Sequence, residues 1–285
     1  GSGFRKVLEG AQMLKDAGAH LLDIGDSPMA RIRMSALAMA ILIQQQVGIE
    51  TMIHLTTRDR TLMALQSDLL GAHALGVRNV LALTGDPIQG GNYPHTKGVW
   101  DVDSIGLVEV MARLNRGVDS AGASIGNPTN FHIGCAVTPI NADWPREHER
   151  LKRKLEAGAH YVMTQPLFDM EQLETFLENV GVLNVPIILG VLPLQSSRHA
   201  EFMHNEVAGI EVPAWVRERM RQAGDRGQAE GLAIASEFLE LAKPYVQGIY
   251  IIPSFGRYEV ARDLVAQVVG SEARGAQPRT PAGRA

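Results

Sequence analysis

Short apolar runs alternate along this chain with longer stretches whose apolar positions recur at helical spacing. Three blocks repeat one pattern: LKDAGAHLLDIGDSP (14–28), AHALGVRNVLALTGDP (72–87) and KLEAGAHYVMTQPLFD (154–169). Each is a helix tail, a glycine, a few strand-forming residues and then polar ones. Gly18, Gly76 and Gly158 stand where helices end on a left-handed residue, so each block reads as a helix that stops on glycine and feeds a strand. In LALTGDP (81–87) the run Leu81–Thr84 has the character of a strand buried on both faces, as in a parallel sheet covered by helices. Further strands are expected at Glu50–Thr56, Phe131–Val137, Val185–Leu192 and Gln247–Ile252. Helices are expected at 4–17, 30–47, 60–75, 103–117, 145–157, 170–180 and 257–269. The 194–246 stretch has room for two more, with Pro213 near the start of the second.

Strict β/α alternation implies a parallel sheet, either open and doubly wound or closed as a (β/α)8 TIM barrel. No GxGxxG follows the first strand, which argues against the dinucleotide-binding version of the open sheet. A barrel begins with a strand, and this chain begins with a helix. The expectation is therefore a TIM barrel whose first strand lies ahead of residue 1, with Gly1-Ser2-Gly3 as the remnant of a loop or a cloning scar. The barrel would occupy 1–270, and 271–285, rich in Ala, Gly, Arg and Pro without periodicity, would be a polar tail.

Composition narrows the setting. The chain has 285 residues, 45% hydrophobic and 20% charged, with a formal net charge of -4, which argues against a general nucleic-acid-binding role. Its one cysteine, Cys135, allows no internal disulfide and no multi-thiolate metal site, and lies in an apolar strand as core filler. No apolar stretch approaches the 18 or so residues that span a bilayer, and the start has no signal-peptide core, so a cytoplasmic protein is expected. The histidines show no metal spacing. No metal is expected.

In a β/α barrel the reacting groups lie on loops after the strand C-termini. Those ends collect Asp23 and Asp26, His54 and Thr56, Thr84 and Asp86, Thr138 and Asn141, Thr164 and Gln165, and Ser254 and Arg257. Asp86 taken alone reads equally as a turn residue before proline. In HLTTRDR, Thr57 or Asp59 reads as a helix cap. In REHERLKRK (146–154), Arg146, Arg150 and Lys154 share a helix face, which is either a solvated face or a seat for an anion. No nucleophile–base motif appears. The lining suits binding and orienting a polar heteroaromatic, with the chemistry carried by a cofactor.

LALTGDP, MIHLT, LKRKLEAGA, YVMTQPLFD, GVLP and IYIIPSFGR, in this order, resemble the methylenetetrahydrofolate reductases from about residue 4 to 270. The wording around ALQSDLLGAHALGVRNVLALTGDP is most similar to the reductase half of proteins that carry a homocysteine methyltransferase module upstream. The resemblance implies a TIM barrel that binds FAD and passes a hydride from NAD(P)H to 5,10-methylenetetrahydrofolate, giving 5-methyltetrahydrofolate, in one-carbon metabolism and methionine biosynthesis. It implies that Asp86 lies beside flavin and folate as the catalytic carboxylate, that Gln165 and Arg257 bind the folate, and that His54, Thr56, Thr84, Gly85, Ala136 and Thr138 line the flavin site. Arg153 and Lys154 match a basic pair near the FAD phosphates. Some members have Arg where Thr84 stands and Tyr where Thr138 stands. The family's general-acid glutamate lies at the end of the first strand, which is outside the numbered chain. Two other readings stay open: a pterin-binding methyltransferase barrel without flavin, and a non-catalytic reductase-like partner subunit. The choice of NADH or NADPH and assembly into a homo-oligomer are also open.

Overall fold

A computed structural model describes residues 3–272. Seven strands, β1 (Leu21–Ile24), β2 (Glu50–Thr56), β3 (Asn79–Leu83), β4 (His132–Val137), β5 (Tyr161–Leu167), β6 (Ile187–Val191) and β7 (Gly248–Ile251), follow one another in sheet order as in sequence. The pairings β1–β2–β3–β4 and β5–β6–β7 are parallel. Helices α1 (Gly3–Asp16), α2 (Ala36–Gln46), α3 (Leu62–Ala74), α4 (Ser104–Leu114), α5 (Trp144–Glu156) and α6 (Met170–Val180) lie between them or ahead of them. Three more, α7 (Ser197–Glu206), α8 (Ala214–Ala223) and α9 (Gly227–Ala242), precede β7, and α10 (Tyr258–Glu272) closes the order. This is the TIM-barrel alternation expected from the sequence. Among the described residues β1 and β7 each have a single strand neighbour; the strand expected ahead of residue 1, with Gly1 and Ser2, lies outside the described residues.

The glycine stops are as expected: Gly18, Gly76 and Gly158 have φ of 99°, 90° and 116°. Other boundaries differ for local reasons. The helix expected from residue 30 starts only at Ala36, where the Ser35 side chain accepts from the Ala38 amide. The cap of α3 is Thr61, whose hydroxyl accepts from Ala64, not Thr57 or Asp59. The strand read as Leu81–Thr84 is Asn79–Leu83, and Thr84 already belongs to the loop. Residues 194–246 hold three helices instead of two, because Gly224 at φ 53° ends α8 before α9 begins. Helix α10 takes in Ser271 and Glu272 of the expected tail, and 273–285 lie outside the described residues.

The residues form two compact units, one with β1–β4 and the end of α5, the other with the start of α5 and most of β5 through α10. Each fills its interior by setting a tyrosine against a glycine. In the first unit a Cβ on Gly134 of β4 would overlap the Tyr161 ring, whose hydroxyl donates to the Met52 sulfur at 2.8 Å. Burial, helped by the negative charge of Asp23, pushes the Tyr161 pKa well up, so it stays a neutral donor. In the second, a Cβ on Gly190 of β6 would press on Tyr250, whose hydroxyl donates to the Thr164 carbonyl at 2.8 Å. Cys135 is wholly buried on β4. Helix α9 lies so close to the Leu194 carbonyl that Gly231 has no room for a methyl group. Among the described residues no helix is long and apolar enough to cross a membrane.

Candidate functional site

On β2 the side chains alternate, so Met52, His54 and Thr56 share the face that meets Tyr161 while Ile53 and Leu55 face the helices. His54 Nε2 lies 2.8 Å from Asp23 Oδ1. Burial works against a charged imidazole here, but Asp23, with a smaller contribution from Asp26, raises the His54 pKa above its ordinary value. Thr56 is buried, and both its amide and its hydroxyl donate to Asp26 Oδ2 at 3.0 Å. Arg60 completes that network, donating to the same oxygen at 2.7 Å. Asp26 and Thr56 are thus committed to each other.

At the end of β3, Thr84 spends its groups within the loop: its hydroxyl accepts from the Ser104 amide, and its carbonyl accepts from Trp100 Nε1 at 3.0 Å. Gly85 has φ 89°, and a Cβ there would crowd Arg58 and Thr56, so glycine is required both for conformation and for space. Asp86 is exposed, and its Oδ2 accepts from the Met29 amide at 2.6 Å. Arg58 is buried to 3% exposure, with Nε and Nη2 on Asp59 and no partner for Nη1. The hydrogen bond to Asp59 is the main stabiliser of its charge, and Asp26 and Asp86 also act on it. At the end of β4, the Ala136 carbonyl accepts from Lys154 Nζ at 2.7 Å, and Lys154 is buried whereas the neighbouring Arg153 is exposed. Arg146 is exposed as well, so the basic run does not share one environment.

In the second unit two expected residues converge. A Cβ on Gly209 (φ 80°) would lie 2.9 Å from Thr138 Cγ2 and 3.8 Å from Gln165 Cγ. The Thr138 amide donates to the buried Glu147 carboxylate at 3.0 Å. Asn141 is a turn residue that accepts from the Asp143 amide. After β7, Arg257 hydrogen-bonds Gln228 and reaches Gln195 at 3.4 Å. Beside them Phe255, 77% exposed, meets the His199 ring edge-on, and burial lowers the His199 pKa so that its Nδ1 accepts from the Gln195 amide.

In the first unit Gly85 packs against Thr56 next to Thr84 and Asp86, His54 lies two residues before Thr56 on β2, and Lys154 of α5 is held on the Ala136 carbonyl; the second unit holds Thr138, Gln165 and Arg257. Sequence reading missed Arg58, Trp100, Glu147 and Gly209. For Arg58 a signal exists in HLTTRDR, where the two-residue period of β2 continues to position 58. An unsatisfied buried guanidinium nitrogen offers a donor, an indole 38% exposed offers an aromatic face, and the Asp86 carboxylate offers an acceptor for a donor or cationic group. Among the described residues no group of three His, Cys, Asp or Glu could hold a metal ion.

Parallel strands alternating with helices, each followed by polar loop residues, define a β/α-barrel protein. A family model described as methylenetetrahydrofolate reductase matches residues 1–261. The chain belongs to the methylenetetrahydrofolate reductase family. It is 27% identical over 223 residues to a probable methylenetetrahydrofolate reductase (NADPH) of Caenorhabditis elegans, covering 74% of this chain and 31% of that one. It is 25% identical over 207 residues to the 5,10-methylenetetrahydrofolate reductase of Escherichia coli, covering 70% and 63%. The match thus spans under a third of the nematode relative and under two thirds of the bacterial one. Among solved structures, a protein from Clostridium thermocellum that binds two copies of 5-methyl-5,6,7,8-tetrahydrofolic acid shares the fold, with a TM-score of 0.60, 17% identity and coverage of 94% and 90%.

Proposed function

We propose that this chain reduces 5,10-methylenetetrahydrofolate to 5-methyltetrahydrofolate, with FAD as its cofactor and NAD(P)H as the hydride donor. FAD, when bound, supplies hydride transfer between the nicotinamide and the folate. The observation that carries the reading is the set at the β3 end: an exposed carboxylate, Asp86, next to Gly85, which packs against Thr56 and Arg58, and a buried Arg58 with an unmet donor. The folate bound by the Clostridium thermocellum neighbour agrees with it. In this reading Asp86 stabilises positive charge on the folate, Gln165 orients the pterin by hydrogen bonds, and Arg257 holds the substrate side. The positive charge of Lys154 at the end of β4 serves the FAD phosphates together with Arg153. The relatives' names divide between NADPH, in Caenorhabditis elegans, and NADH, in Arabidopsis thaliana, so either donor is compatible.

Replacing Lys154 by alanine removes a charge-assisted contact, and FAD affinity is expected to fall by about 1.5–3 kcal/mol. Unchanged affinity with an intact fold would sink the placement. Asp86→Asn is expected to make the flavin easier to reduce while slowing the folate half-reaction, because a neutral amide neither opposes the incoming negative charge nor supports a cation. Stopped-flow reduction of each half-reaction reads the two changes separately. An unchanged folate step would return Asp86 to the role of a turn residue.

A second reading is a pterin-binding transferase on the same barrel. Thr84 favours it, because its hydroxyl and carbonyl are already used within the loop. Flavin absorbance that bleaches with NAD(P)H separates the two.

A further inference from the structure

Of the five non-glycine residues with positive φ among the described residues, four, Ser27, Met29, Ala30 and Trp100, lie in two loops of the first unit, after β1 and after β3. A side chain in the left-handed region is disfavoured, so such a cluster persists only where its partners hold it. The partners are visible. The Met29 amide donates to Asp86 Oδ2 at 2.6 Å, the Ile32 amide to Asn92 Oδ1 at 2.8 Å, and the Asn92 amide to the Ala30 carbonyl at 3.2 Å. Gly91 gives the room, since a Cβ there would overlap the Ala30 backbone. Apolar burial contributes little to the hold, because residues 31–35 are all exposed, Ile32 to 64% and Met34 to 47%.

We propose that residues 27–34 form a strap latched on Asp86, in which the Met29 N–H occupies one acceptor position on Oδ2 of the exposed carboxylate. The closed strap is self-capping. A ligand donor that needs the acceptor position taken by the Met29 amide must displace it, and its apparent affinity is then reduced by the population of the closed form. The left-handed residues make the exchange easier, since releasing the latch lets Met29 and Ala30 relax. This goes beyond the reductase reading and holds for any ligand whose donor takes the Met29 position on Asp86 Oδ2.

Limited trypsin digestion of the ligand-free chain reads the strap directly, because Arg31 and Arg33 lie exposed within it and cleavage follows the population of the open form. Asp86→Ala is expected to raise cleavage after Arg31 and Arg33 by about tenfold, the loss of a charge-assisted hydrogen bond. Met29→Gly removes the left-handed penalty and is expected to slow it by about fivefold. Far-UV circular dichroism guards against general unfolding, and if Asp86→Ala does not fold, Met29→Gly decides alone. Cleavage of Asp86→Ala at the wild-type rate, or of Met29→Gly at or above it, overturns the strap. No flavin or folate enters the measurement, so its failure is separate from a failure of the reductase reading, which flavin titration tests.

Discussion

The strand ends of the two units are built from different chemistry. In the first, four carboxylates each have a fixed partner: Asp23 with His54, Asp26 with Thr56 and Arg60, Asp59 with Arg58, and Asp86 with the Met29 amide. In the second, the groups are mostly neutral: Gln165 and Thr138 beside Gly209, and Gln195 and Gln228 around Arg257. Charges held in place set an electrostatic environment before any ligand arrives, whereas amides and hydroxyls recognise a ligand by its pattern of donors and acceptors. The first unit is thus suited to tuning charge and the second to reading shape and hydrogen bonds.

The largest test of that contrast is Asp26→Ala. It would leave the Thr56 hydroxyl and the partly buried Arg60 without their common acceptor, and a loss of about 3–5 kcal/mol in denaturant unfolding is expected. A loss under about 1 kcal/mol would mean that the network is dispensable and the contrast overstated. Next in size are the two glycines behind the tyrosines. Gly134→Ala is expected to cost about 2–3 kcal/mol and Gly190→Ala about 1 kcal/mol, because Tyr161 is 2% exposed and cannot retreat while Tyr250 is half-buried and can. Equal costs would show that the two interiors are equally rigid.

On the recognition side, Gln165→Leu removes a neutral hydrogen-bonding group, and KM for the folate is expected to rise about fivefold with little change in FAD affinity. Loss of FAD with KM intact would assign Gln165 to the cofactor instead. The smallest effect is the pH dependence of the His54–Asp23 pair. Since the folded His54 pKa lies above the ordinary value of 6.5, the pair's contribution is complete below that value and is lost as pH rises through the folded pKa. Wild-type stability should therefore fall over that window more than that of Asp23→Asn. Parallel curves would show that His54 is neutral throughout.

The fold was legible because its signals are local: a glycine that stops a helix and a short apolar run soon after it, as at Gly18 before β1, Gly76 before β3 and Gly158 before β5. Strand β2 was located to the residue: the short β-branched and apolar run Glu50–Thr56 is buried on both faces over most of its length. Helix starts in polar stretches were harder. HLTTRDRT offers several cap residues in a row, and only the packing of α3 selects Thr61. Asp86 could be picked out as a carboxylate at a strand end, but its partner Met29 is 57 residues away in a different loop, and no periodicity encodes such a contact. Arg58 escaped for a related reason. A basic residue in a polar loop reads as solvated until the chain above it shows that it is buried.

Cys135, the chain's single thiol and wholly enclosed on β4, has a use that has nothing to do with ligands. An alkylating reagent can reach it only when that strand parts from its neighbours, so the labelling rate of the untreated protein counts how often the first unit opens. The chain carries its own clock for that event, with no engineered probe needed.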